Sequence, residues 1–147
     1  MAFRLPGTGP VYEPFWIVKY GVVATGETIK RGDIVTTTPA GVEPVTNGAV
    51  LSQTGFGQAL EDANAGESIQ LAIAGSAIRG LCDGLLQSGN RIRIKVATVG
   101  GAPKQTFVKA TAAEIAEGKT FATFLHVEAS PISTPSATDS VGVFLLG

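Results

Sequence analysis

The one histidine, His126, sits on an alternating stretch from Phe124 to Glu128. Without a second histidine, neither a His-based triad nor a multi-His metal centre can be assembled within one chain. Three carboxylates, Glu61, Asp62 and Glu67, crowd one turn. Adjacent carboxylates on an extended chain point to opposite faces, so Glu61 and Asp62 do not make an acid–base pair by themselves. A weak cation site is the remaining chemistry for that cluster. Cys82 is the only cysteine, which excludes an internal disulfide. It ends an apolar run with no histidine nearby in sequence and reads as a buried structural thiol. Gly55-Phe56-Gly57 lacks the following helix that a phosphate loop requires. No catalytic group, cofactor site or metal site is expected.

Two groups of residues point instead to contact with other molecules. Arg91, Arg93 and Lys95 alternate with Ile92, Ile94 and Val96. The isoleucines and valine are expected to point inward and the three cations outward, as a basic ladder. That ladder is either a solvated sheet face or a contact for an acidic partner surface. The second group is aromatic: Phe3, Tyr12, Phe15 and Trp16 lie in or beside a stretch holding Pro6, Gly7, Gly9, Pro10 and Pro14. Prolines at this density exclude helix and central strand, so residues 1–16 read as an extended arm. Large apolar side chains on an arm need burial, on its own domain or on a neighbour, where aromatic anchors carry interface energy well.

Composition sets the frame for these residues. The chain has 147 residues, enough for one domain with a sizeable core. Apolar residues make up 44% and charged residues 16%, unlike a disordered chain. The net charge of −1 provides no general field for nucleic acid, and aromatics do not interleave with the basic ladder as a single-strand site would need. A weakly charged surface is poorly protected against association and suits an assembly. Residues 1–7 lack the apolar core of a signal peptide, and no window has the apolar length of a membrane helix. Synthesis in a cytoplasm is expected, with no membrane partner.

The elements that must position these residues are mostly strands. The 19 glycines and 8 prolines punctuate runs rich in Val, Ile and Thr. Strands are expected at Ile17–Ala24, Ile34–Val35, Gly41–Val45, Ala49–Ala59, Ser68–Ala74, Ala77–Leu81, Arg91–Val96, Phe121–Ala129 and Asp139–Leu146. Turns are expected at Arg31-Gly32-Asp33, Thr46-Asn47-Gly48, Asn64–Glu67 and Gly100–Pro103, and residues 130–138 form a Ser/Thr/Pro loop. Thr111 with Glu114 has capping-box spacing and Gly118 is a stop, which predicts one helix over 111–117. The fold class is all-β with one short helix. Residues 17–147 read as a single β domain behind the arm.

Two stretches share one layout, about 26–80 and 86–147. Ile29–Val35 corresponds to Leu86–Ile92, Gly57–Ala63 to Thr123–Ala129, and Ser68, Ile69, Leu71, Ile73 and Gly75 to Ser140, Val141, Val143, Leu145 and Gly147. Each copy reads as turn, strand, strand, turn, strand. Either a duplication or the common grammar of small β proteins produces such a match.

The order Gly32-Asp33-Ile34-Val35, then Gly57-Gln58-Ala59-Leu60-Glu61-Asp62-Ala63, then Ala65-Gly66-Glu67-Ser68-Ile69-Gln70-Leu71-Ala72-Ile73-Ala74-Gly75 resembles the capsid cement, or head decoration, proteins of tailed bacteriophages and related viruses. Those show a G-D-x-V turn, a G-x-A-L-E-x-A strand, an A-G-E turn and a V-x-V-x-x-x-G strand. The match covers residues 26–80 well and 86–147 loosely, where Thr123–Glu128 replaces the Gly-x-Ala-Leu-Glu stretch. The resemblance implies a compact β-tulip or β-barrel-like fold and a homotrimer on the outer face of a virion. It implies a structural role, bridging neighbouring major capsid proteins and stabilising the shell, with no cofactor. The alternative is a receptor- or carbohydrate-binding β module of a virion fibre or spike, for which Trp16 with Tyr12 and Tyr20 is the one aromatic platform.

Overall fold

The computed structural model describes residues 16–46, 55–99, 101–128 and 140–147. The arm up to Phe15 (with Phe3 and Tyr12), the Asn47-Gly48 turn and the loop at 130–138 lie outside the described residues. The rest is all-β. Its strands are β1 (Val18–Val22), β2 (Thr28–Ile29), β3 (Ile34–Thr38), β4 (Gly41–Pro44), β5 (Gly55–Ala59), β6 (Ala63–Asn64), β7 (Ser68–Ala72), β8 (Ala77–Leu81), β9 (Arg91–Val99), β10 (Ala102–Lys109), β11 (Ala122–Val127) and β12 (Val141–Leu146). One helix, α1 (Ala112–Ala116), begins at Thr111, whose side chain accepts from Glu114 N while the Glu114 carboxylate accepts from Thr111 N. That is the expected capping box, and Gly118 follows at φ 75°.

The strands form two five-stranded antiparallel sheets, in the orders β1-β7-β5-β3-β4 and β10-β9-β11-β12-β8, with β2 and β6 as a short separate ladder. Leaving β2 and β6 aside, the two halves have one topology. In each, the first strand pairs with the fifth, the second with the third and the fourth, and the fourth with the fifth. Each sheet curls until its edge strands meet at a parallel bridge, Val23 with Val42 and Cys82 with Phe107. Ala24 N donates to Val42 O at 3.1 Å, and Asp83 N donates to Phe107 O at 3.0 Å.

The backbone hydrogen bonds fix which residues are equivalent. Gly32 N donates to Ala59 O and Ala59 N to Asp33 O, as Gly89 N donates to Phe124 O and Phe124 N to Asn90 O. Val45 N donates to Ile34 O, as Ala110 N donates to Arg91 O. Val23 N donates to Glu67 O, as Cys82 N donates to Ser140 O. Ala59 therefore matches Phe124 and Glu67 matches Ser140. Leu71, opposite Ala59, matches Phe144, opposite Phe124. This corrects the register read from sequence, which set Leu71 against Val143 and Gly57 against Thr123. The discrepancy is one residue in each of those strands, and a one-residue slip exchanges the two faces of a strand. Counting glycines from the turns cannot detect it.

One further difference is β10. The stretch 104–109 follows the Gly100–Pro103 turn signal and carries Lys104, Gln105, Thr106 and Lys109 among its apolar residues. It nevertheless completes a long hairpin with β9, pairing from Ala102 with Val99 to Lys109 with Ile92.

Each curled sheet encloses its own core. The first holds Val23, Ile29, Val35, Val42, Ala59, Ile69 and Leu71. The second holds Ile92, Ile94, Phe107, Phe121, Phe124, Phe144 and Leu146. Ile34, Val45 and Ala72 come from the first half yet pack with the second core. Neighbours along β3 face opposite ways, so Val35 fills one half-barrel while Ile34 seals it against the other. Two side-chain amides, the half-buried Gln105 and the buried Gln58, complete that junction. The Gln105 side chain accepts from Ile34 N at 2.7 Å and donates to Ile34 O and Val45 O, both at 2.9 Å. Gln58 Nε2 donates to Arg79 O at 2.8 Å and to Gly32 O at 3.2 Å.

Candidate functional site

The acidic cluster has a structural use. Asp62 Oδ1 accepts from Arg31 N at 2.7 Å, Glu61 Oε1 from Gln70 N at 3.0 Å, and Glu67 Oε1 from Asn64 N at 2.6 Å. Each carboxylate closes a turn or edge that would otherwise leave a backbone donor without a protein partner. Asp33 does the same, its Oδ2 accepting from Lys30 N at 2.9 Å. Burial pushes the Asp33 carboxyl above its ordinary value, against the pull of that hydrogen bond. The residues that carry the family resemblance are therefore the ones that hold the turns of the first half-barrel. Among the described residues no group of three or more His, Cys, Asp or Glu could hold a metal ion. Cys82 is buried. His126 is half-buried with Nδ1 2.9 Å from Val127 O.

The basic ladder lies on β9, alternating with buried Ile92 and Ile94, but it is not a free charged face. Arg91 donates to Thr123 Oγ1 at 2.8 Å, Gly147 O at 2.7 Å and Thr120 Oγ1 at 3.0 Å. Arg93 pairs with Glu114 of the helix. Lys95 Nζ lies 3.6 Å from Asp83 Oδ2. Arg93 and Thr111 together hold the Glu114 carboxyl below its ordinary range, the Thr111 backbone N–H being the larger cause. The partners come from the segments before and after β9, which alternation within the strand does not disclose.

The unusual surface is on β1. Val18, Tyr20 and Val22 alternate and so share one face, and they are 46%, 64% and 55% exposed. Trp16 at 44% and Ile17 at 42% extend the strip toward the arm. The only hydrogen bond described for this run of side chains joins Gln70 Nε2 to Tyr20 Oη, at 3.0 Å. A strip of five large apolar residues along one edge is the kind of surface that marks an interaction site. Of the expected anchors, Trp16 belongs to it. Val18, Tyr20 and Val22 were visible in sequence only as strand residues. Their signal is that Ile17–Ala24 carries large or small apolar residues at every position but Lys19, although an edge strand needs only one buried face.

A cleft runs between the half-barrels beside this strip. Its smaller chamber, about 320 Å³, is lined by Trp16, Arg31, Gly32, Gln58, Ala59, Leu60 and Arg79. A larger chamber of about 740 Å³ shares Arg31, Gly32, Gln58 and Arg79 and adds Lys104 and Asp33 among its walls. No helix among the described residues is long and apolar enough to cross a membrane. Neither a protein-family model nor a curated protein matches the chain.

Proposed function

We propose that this chain is a structural virion protein that binds the outer surface of a viral capsid, as a homotrimer, and stabilises the shell by bridging neighbouring major capsid proteins. The observation that carries this reading is the exposed apolar strip of β1, directly after the aromatic arm. A rigid double half-barrel presents the strip, and a binding surface on a rigid element loses little freedom on association. Burying one such side chain fully is worth roughly 1.5–3 kcal/mol, so several half-exposed ones per copy, repeated over many copies, add stability to a shell by mass action. The turn chemistry of Gly32-Asp33, Glu61 and Glu67 supports the resemblance to cement proteins, because those residues shape the scaffold rather than a reaction centre.

The test is co-sedimentation with expanded empty capsids of the virus that encodes the chain. The native protein is expected to pellet with the shells and to raise their melting temperature. A Val18→Glu/Tyr20→Glu/Val22→Glu variant with an unchanged circular dichroism spectrum is expected to stay in the supernatant. Native protein that fails to pellet, or a folded variant that pellets as well as the native one, would refute the reading. Deletion of residues 2–14 separates the arm from the strip: reduced binding at unchanged thermal stability assigns an interface role to the arm.

A further inference from the structure

We propose that the cleft between the half-barrels binds a carboxylate-bearing sugar, such as a uronic-acid residue. This goes beyond capsid binding and does not depend on it. The argument begins with charge. The chain carries a net charge of −1, yet the cleft gathers Arg31, Arg79 and Lys104 against one lining carboxylate, Asp33. Asp33 is already held by Lys30 N, which takes up one of its carboxylate oxygens. The Arg31 guanidinium and the Lys104 ammonium have no ion-pair partner among the described residues. Arg79 pairs with Glu128 at 2.6 Å, but its side chain is 54% exposed. An exposed pair of this kind is weak and exchanges readily for another carboxylate.

The choice of a sugar over a bare anion comes from the smaller chamber. Trp16 lines it together with Arg31, Arg79 and Gln58. An aromatic face packs against the apolar face of a pyranose ring, while guanidinium forks match a carboxylate in a bidentate way. Gln58 Nε2 is committed to the carbonyls of Gly32 and Arg79, which leaves Oε1 as the atom to accept from a hydroxyl. The volume of about 320 Å³ suits one ring, and the shared walls lead into the larger chamber for a second.

Trp16 is the only tryptophan, so its fluorescence reports directly on the chamber. The experiment titrates the full chain with trigalacturonate, with the neutral trisaccharide maltotriose, and with hexaglutamate. Trigalacturonate is expected to change Trp16 emission saturably and to lose affinity as salt rises, while maltotriose does not. Arg31→Gln should weaken trigalacturonate binding about tenfold or more, the usual effect of removing a charge-assisted hydrogen bond. Lys109→Gln, on a residue that does not line the cleft, should leave it unchanged. Arg79→Gln provides a second reading should Arg31→Gln alter the fold, which a thermal melt detects. No saturable response to trigalacturonate up to roughly 10 mM overturns the proposal, since weaker binding lies beyond the range of a specific site. An equal response to hexaglutamate overturns it in favour of acidic peptide docking, and an equal response to maltotriose removes the role of the carboxylate. Capsid co-sedimentation is read separately, so each proposal stands or falls alone.

Discussion

Val42 and Phe107 hold the same place in the two half-barrels. Each bridges to the edge strand that closes its sheet, and each lies against a glycine, Gly21 or Gly80, with no room for a Cβ. Around Val42 the neighbours are aliphatic; around Phe107 they are rings, with Phe121 at 5.0 Å and Phe144 at 4.6 Å between centroids. One backbone plan thus tolerates two fillings. The close approach of the edge strands demands the glycine in both halves, whereas the volume inside is negotiated locally. Backbone hydrogen bonding defines the shared plan, and the side chains within it differ.

The strongest way to break this comparison is to add the missing Cβ. In Gly80→Ala the new methyl would lie 2.5 Å from the Phe107 ring, which is wedged between two other rings. In Gly21→Ala it would meet one methyl of Val42 at 2.6 Å. Overpacking of this kind typically destabilises by 1–3 kcal/mol; we expect about 3 kcal/mol or loss of folding at Gly80 and about 1–2 kcal/mol at Gly21. Adding Phe107→Val to Gly80→Ala installs the smaller filling and should recover part of the loss, seen in chemical denaturation as non-additivity. Equal losses at the two glycines, or strict additivity, would show that the ring cluster is not what makes the halves differ.

A smaller effect probes the junction between the halves. Gln105→Leu leaves Ile34 N and Val45 O without their side-chain partner, while Ile34 O keeps Val45 N; Gln58→Leu removes the side-chain partner of Gly32 O and Arg79 O. Losses of about 3 and 2 kcal/mol respectively are expected, since a buried backbone group left unpaired costs about 1–3 kcal/mol and relaxation recovers some of it. If denaturation then shows two separate transitions, the amides hold the half-barrels in one cooperative unit. If both variants match the native protein, the apolar contacts of Ile34 and Ala72 suffice alone.

The smallest effect concerns the turn that each half places before its second strand. Asp33 accepts from Lys30 N in one, and Asn90 accepts from Gln87 N at 2.9 Å in the other. The folded Asp33 carboxyl is raised above its ordinary value of 3.8. Its contribution to stability is therefore present below that value and is lost as pH rises through the folded pKa. Asp33→Asn keeps the acceptor and removes the titration. It should be at least as stable as the native protein at neutral pH, with a flatter stability profile on the acid side above pH 3.8. Glu114 has the opposite sign: its carboxyl is lowered, so its contribution is lost on acidification and vanishes in Glu114→Gln. An Asp33→Asn protein with the native pH profile would remove Asp33 as the source.

What was legible in the sequence follows a physical divide. The helix was readable because Thr111, Glu114 and Gly118 act locally, and the strands were readable where alternation met a one-sided core, as at Ile92 and Ile94. β10 was hidden because a Gly-Gly-Ala-Pro turn signal overlaps its start and its polar residues, Gln105 above all, serve contacts far along the chain. The register of the repeat was hidden because it is set by pairing, not by spacing from a glycine. The cleft could not be read at all. Arg31 stands in a turn, Arg79 on β8 and Lys104 on β10, and only the packing of one half-barrel on the other brings them together.

Ser76 is fully buried where the two halves join. It takes part in a hydrogen bond from Ile17 N at 2.8 Å, and its carbonyl accepts from Leu146 N at 2.9 Å, while Gly75 N donates to Leu146 O at 2.7 Å. The chain just ahead of β1, the segment linking the halves and the last strand are thus tied at one knot. A pull on the arm that draws along β1 would load its ladder with β7 in shear, with all the bonds sharing the tension. A pull away from the sheet would meet the Ile17–Ser76 tie before any rung of that ladder could open. Tension entering ahead of β1 is handed to both half-barrels at once, so it would strain the whole body rather than peel off one edge.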